Sequence, residues 1–246
     1  MGVFFVVPLY LQLVIGLDAL DTGLRMLPIS ITMFLFSAIG SRLSARVSVR
    51  TIVRTGLAVS TLAIVVLIAT VDAQLNDLGF AVSMALLGVG MGLIVSQLGN
   101  VVQSSVDSSG HGEAGGLQYT GQQLGSSLGV ALIGAIVISG LAGVFVSQVQ
   151  NDSRISAEIQ SQVTIAVEPG IDFLSAAQVE ALATDAGLDA QTTAAIVEDY
   201  SVAQLQALKA GLLVAALLAL GSLAFTRDLP HDDPRKAGTE PQLATA

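Results

Sequence analysis

Few residues in this 246-residue chain are equipped for catalytic chemistry. His111 and His231 are the only histidines, one in the polar stretch GHGE and the other in the terminal tail, and neither has metal-ligand spacing around it. Cysteine is absent, which excludes disulfides, thiolate metal sites and cysteine nucleophiles. There is no phosphate-binding loop, dinucleotide fingerprint or nucleophile elbow. GVGMG, at 88–92, lies inside an apolar run, where glycines serve packing. No basic-aromatic patch points to nucleic acid. These residues argue against an enzyme and imply neither cofactor nor metal.

What remains is a pattern of small and amide residues. In GGLQYTGQQLGSSLGVALIG (115–134), Gln118, Gly121, Gln122, Gly125 and Gly129 fall on one helical face at about 100° per residue. Gly88, Gly92, Ser96 and Asn100 share a face in the same way. Glycine costs a water-exposed helix about 1 kcal/mol relative to alanine. In lipid, small residues at spacing four let helices approach closely, and that contact is a main source of association. Either these two faces pack on each other, or the glutamine-bearing face meets a further helix or a water-filled path. A second pattern is Arg42, Arg46, Arg50 and Arg54, every fourth residue, read as one helical face that anchors topology, with a gating role as the alternative.

The elements that must carry these patterns follow from composition. The chain is 52% hydrophobic and 12% charged, against about 25% charged for a soluble domain. Its mean hydropathy is +0.75. Six apolar segments, 2–17, 24–40, 55–71, 78–98, 117–146 and 205–226, approach or exceed the roughly 20 residues a membrane crossing needs. In lipid such runs are helices, because nothing else satisfies the backbone. The expected fold is therefore all-α, a polytopic membrane protein with a six-helix bundle. The first segment is the shortest. With no basic residue before Arg25 it does not read as a signal peptide, and it is taken as a span whose leading end is missing or whose start is not the natural one. Pro8 and Pro28 sit where kinks are tolerated.

Seven of the ten basic residues fall in the 41–54 loop and the tail, which six crossings place on one side, read as cytoplasmic for both termini. The 147–204 segment then lies outside, with nine acidic residues against Arg154 alone. Within it Ser175 reads as an N-cap with Gln178 three residues on, Gly187 as a stop and Asp189 as a second cap leading into the last span. The 227–246 tail reads as disordered. No charged residue occupies the middle third of any span, where ion-coupled transporters usually hold one.

Taken together, these residues resemble the C-terminal six-helix half of a major facilitator superfamily transporter, and within it the bacterial drug:proton antiporter branch with fourteen helices. The likeness rests on PLYLQLVIGLDALDTGLRMLP (8–28), the basic loop 41–54 and GEAGGLQYTGQQLGSSLGVALIG (112–134). It covers residues 1–146 and 205–226. In the loop Leu43, Arg46 and Arg50 fit the family pattern, while Ser41, Ala45 and Ser48 stand where Gly, Asp and Gly are usual. The resemblance implies proton-coupled efflux of drugs or other small molecules by alternating access, in a bacterial inner membrane. It also implies a partner: the missing N-terminal half, which carries most coupling carboxylates. By position, Tyr10 and Gln12 on span one and Gln97 and Asn100 on span four become substrate-cavity candidates, and spans two and five border the other half. The alternative reading is a non-transporting membrane fragment or a helical interaction partner.

Overall fold

The computed structural model describes residues 2–103, 107–167 and 172–226, without the side chains of Asn100, Gln103 and Ser108. Among these residues helices, joined by short connections, are the regular structure, and there is no strand. The tail beyond 226, with Arg227, Arg235, Lys236 and His231, lies outside the described residues.

The first apolar segment forms α1 (Val3–Leu9), which runs into a π-helical turn over Tyr10–Val14. Its backbone widens to an Ile15 N–H bond onto the Tyr10 carbonyl at 3.1 Å and ends at Gly16, whose φ of +79° favours glycine. Val3–Val14 is shorter than the expected span. Twelve residues rise about 18 Å, well under the roughly 30 Å of a hydrocarbon core.

Among the described residues, five helices are long and apolar enough to cross a membrane. They are α2 (Ala19–Leu43), α3 (Val49–Thr70), α4 (Asp77–Gln103), α5 (His111–Asn151) and α8 (Ala190–Phe225). Between the last two lie α6 (Ala157–Val167) and α7 (Ala176–Asp185). The fifth and sixth expected segments sit inside much longer helices. α5, at 41 residues, extends about 60 Å and takes in His111, which the sequence reading puts in a loop. The 147–204 excursion is therefore built partly from the ends of α5 and α8.

The caps within the excursion form as their residue types require. Ser175 and Gln178 make a reciprocal capping box at the start of α7. Gly187, at φ +79°, follows its end, with the Leu188 N–H returning to the Ala183 carbonyl at 3.2 Å. Asp189 caps α8, accepting from the Gln191 and Thr192 N–H groups at 2.9 and 3.1 Å.

The chain divides into two compact units. The first comprises Met1–Arg25, Ile68–Phe80 and Ser126–Ala215. Its core is a stripe of α5 at spacing four, Ile133, Val137, Leu141, Phe145 and Val149, against Tyr200, Ala207, Leu208 and Leu212 of α8. Gly211 admits Val137 there: a Cβ on it would stand 2.5 Å from that side chain and 3.7 Å from Val6 of α1. An ion pair and a ring contact add to this unit: Arg25 pairs with Asp77 at 3.0 Å, and Phe145 meets Tyr200 edge to face at 5.3 Å.

The second unit comprises Met26–Leu67, Ala81–Gly125 and Ala216–Ala246. Its organising element is α4, whose buried glycines receive a neighbour on each side. Within α2, Pro28 sits a turn from Thr32, whose hydroxyl lies 2.8 Å from the Pro28 carbonyl and 2.9 Å from the Ala85 carbonyl of α4.

Candidate functional site

The glycine face of α4 meets α2. A Cβ on Gly92 would stand 2.6 Å from the Met33 carbonyl and 3.0 Å from the Ser37 nitrogen, and one on Gly88 would strike Thr32 and the Ile29 carbonyl. Gly90 points the other way, into α3, where its carbonyl would lie 2.8 Å from a Cβ on Gly56 and where it also meets Ser60. This second contact is absent from the sequence reading, although the small residues Gly56 and Ser60 at spacing four signal it.

The glycine face of α5 has no such neighbour. Among the described residues nothing lies within 4 Å of where a Cβ on Gly121, Gly125 or Gly129 would be. Gln122 is exposed, Gln118 is half-buried, and Leu117, Leu124, Leu128 and Leu132 are all exposed. The leading half of α5 is thus an apolar helix with an open small-residue face.

Of the four cavity candidates, two are committed to other parts of the chain. Tyr10 is 1% exposed, and its hydroxyl donates to the Asp72 carbonyl at 2.8 Å, fastening the first apolar helix to the end of α3. Gln97 is fully buried between α4 and α2, and its amide nitrogen donates to the Gly40 carbonyl at 2.9 Å and to Ser96 Oγ at 2.8 Å. Gln12, on the π turn, is exposed. The Asn100 side chain lies outside the described residues.

The four arginines do not share one helical face, a correction to the sequence reading. Arg42 is in the last turn of α2, Arg46 is in the connecting turn, and Arg50 and Arg54 are on α3. The helix restarts at Ser48, whose hydroxyl lies 2.9 Å from Thr51 Oγ1 and 3.4 Å from the Thr51 nitrogen, an N-cap arrangement that breaks the four-residue period. Arg50 and Arg54 instead clasp the end of α8. The Nε of Arg50 donates to the Thr226 carbonyl at 3.1 Å and the Nε of Arg54 to Thr226 Oγ1 at 2.9 Å. Cations at a helix C-terminus complement its dipole and its unpaired carbonyls.

Outside the spans, Arg154 ties the end of α5 to α8. Its guanidinium lies 2.6 Å from Asp152 and 2.7 Å from Glu198. Hydrogen bonds from this side chain hold the Asp152 carboxyl below the usual carboxylate range. In the same excursion, α5, α6, α7 and α8 leave an apolar cleft of about 280 Å³ lined by Phe145, Val163, Leu182, Ile196 and Tyr200 among others.

Long apolar helices joined through glycine contacts, with polar side chains hydrogen-bonding between them, define an all-α polytopic membrane protein. The chain belongs to the Major Facilitator Superfamily, whose family model matches residues 1–130. Among curated proteins it is 27% identical over 136 residues to the multidrug transporter protein MdtP of Bacillus subtilis, covering 55% of this chain and 25% of that one. It is 29% identical over 147 residues to the tetracenomycin C resistance and export protein of Streptomyces glaucescens, covering 58% and 26%. The probable actinorhodin transporter of Streptomyces coelicolor is 29% identical over 149 residues, covering 58% and 25%. The match thus spans about a quarter of the length of these relatives.

Proposed function

We propose that this chain is the C-terminal half of a proton-coupled exporter of drugs or other small molecules, of the fourteen-helix branch, working by alternating access in a bacterial inner membrane. The observation that carries this reading is the leading half of α5. In a chain of a transporter family, an apolar helix with an open glycine face and exposed amides suits close contact with further helices. Relatives named for multidrug transport and antibiotic export support efflux as the activity. On this reading both termini are cytoplasmic, 147–204 is extracytoplasmic, and the proton-carrying groups at membrane depth belong to the other half. Gln12, exposed on the π turn, is kept as a substrate-path residue, while Tyr10 and Gln97 each act as a strut within their own unit.

The test is efflux in a drug-sensitive bacterial strain expressing the chain alone or together with the N-terminal half of a fourteen-helix relative. The expected result is energy-dependent ethidium efflux only with both halves, abolished by a protonophore. Robust efflux from the chain alone would refute the need for a second half. Stable assembly of the halves without efflux would favour the alternative, a non-transporting membrane protein.

A further inference from the structure

Asp199 is a buried carboxyl on α8, 8% exposed, and its Oδ2 has no hydrogen-bond partner among the described residues. The charged groups that face it are Asp152 and Arg154, from the turn after α5, and Glu198 on its own helix. The nearest cation is already committed: Arg154 donates from Nε to both Asp152 oxygens, at 3.1 and 2.8 Å, and from Nη1 to Glu198 at 2.7 Å. The neighbouring Tyr200 hydroxyl is occupied too, donating to the Asp172 carbonyl at 3.0 Å and accepting from the Leu174 N–H at 2.8 Å.

An ionised Asp199 would bury a charged oxygen with no donor among the described residues, next to two carboxylates that already hold the Arg154 guanidinium. Burial of an unpaired charge is met by neutralisation, because the protonated form avoids that cost. We propose that Asp199 is a proton-binding site at the junction of α5 and α8. It holds its proton to higher pH than an ordinary carboxyl, because burial disfavours the charged form, and releases it as pH rises. The freed carboxylate then repels Asp152 and Glu198, competes with them for Arg154, and loosens the hold of α5 on α8. The inference rests on the geometry of the excursion and is independent of whether the chain transports anything.

The sign follows from linkage. A carboxyl that keeps its proton in the folded state weakens folding as pH rises from the unfolded-state value towards the folded one, and has no such effect where both states are protonated. The purified full chain in nanodiscs is compared with Asp199→Asn. Asp199→Asn is expected to raise the Tm at about pH 8, leave it unchanged below about pH 4, and so flatten the pH profile. Infrared spectra recorded as pH is raised from about 4 should show a protonated-carboxyl C=O stretch that outlasts those of ordinary carboxyls, that Asp199→Asn removes and that Asp152→Asn and Glu198→Gln retain. If Asp199→Asn does not fold, Asp199→Ser, smaller and equally unable to ionise, takes its place in both measurements. Absence of the band, or its loss in Asp152→Asn or Glu198→Gln, would overturn the proposal. So would a pH profile unchanged by Asp199→Asn.

Discussion

Asp189 uses both carboxylate oxygens at the start of α8: Oδ1 takes two backbone N–H groups, and Oδ2 accepts from Thr192 Oγ1 at 2.7 Å. The Thr192 hydroxyl and then the backbone N–H groups hold its carboxyl below the usual carboxylate range. A depressed folded-state value means the contribution is fully present above the ordinary carboxylate range and is lost as pH falls through the folded value. Asp189→Ala should therefore lower the Tm at neutral pH, and the gap to wild type should close in strong acid. Asp189→Asn, still a good cap but unable to titrate, should keep the cap at both. Thermal unfolding at the two pH values checks this, and a gap that persists in acid would mean the cap does not depend on ionisation. Gln97 makes a contrasting case. Among the described residues its Oε1 is buried without a partner, and the Gly40 carbonyl that its Nε2 reaches also accepts the Ser44 N–H at 3.1 Å. Gln97→Leu removes an orphaned acceptor together with one interhelical bond, a class averaging about 0.6 kcal/mol in membranes. It should change stability by less than about 1 kcal/mol, so any larger fall in efflux by the assembled transporter would mark Gln97 as a substrate-path residue rather than a strut.

At the scale of the elements, the glycine periods of α4 and α5 are both legible in the sequence, but their partners are not. Gly88 and Gly90 lie about 200° apart around the helix, so GVGMG serves two opposite faces at once. Period alone cannot say that one face takes α2 and the other α3, because that choice depends on which backbone comes close. The N-caps at Ser175 and Asp189 were readable because their hydrogen bonds stay within four residues. The clasp of Arg50 and Arg54 on Thr226 spans more than 170 positions and leaves no local trace. The difference between the two glycine faces yields a paired prediction. Gly88→Ala drives a methyl into the α2 backbone at Ile29, an overpacking that typically costs about 1–3 kcal/mol. Gly125→Ala meets nothing and gains up to about 1 kcal/mol of helix propensity. Thermal unfolding of the isolated chain should show Gly88→Ala less stable than wild type and Gly125→Ala equal or more stable. Equal destabilisation by both would show that α5 is packed on its glycine face in solution.

For the whole molecule, the sequence conveys the all-α membrane architecture, because long uncharged runs leave the backbone no alternative to helix. It is less exact about where the runs end. Polar residues such as Gln148, Gln150 and Asn151 extend α5 past the apolar stretch because they are adequate helix formers, and Gly16 ends the first helix before it reaches a full span. Sidedness can nevertheless be argued without settling the first segment. Three long helices, α3, α4 and α5, separate the basic turn at 44–48 from α6. If each crosses once, an odd number of crossings puts the two on opposite faces, and the arginines assign the turn to the cytoplasm. The chain contains no cysteine, so single cysteines can report this directly. Ala45, in the basic turn, and Ser161, on α6, are both exposed. A membrane-impermeant maleimide applied to intact spheroplasts should label Ser161→Cys and spare Ala45→Cys until the membrane is permeabilised. Labelling of both from outside would mean that one of the three helices does not cross, and α5, with 41 residues and an uncovered leading half, would be the first to re-examine. The reverse pattern, Ala45→Cys from outside and Ser161→Cys only after permeabilisation, would keep the three crossings and invert the orientation. The acidic excursion would then face the cytoplasm, against the distribution of arginine.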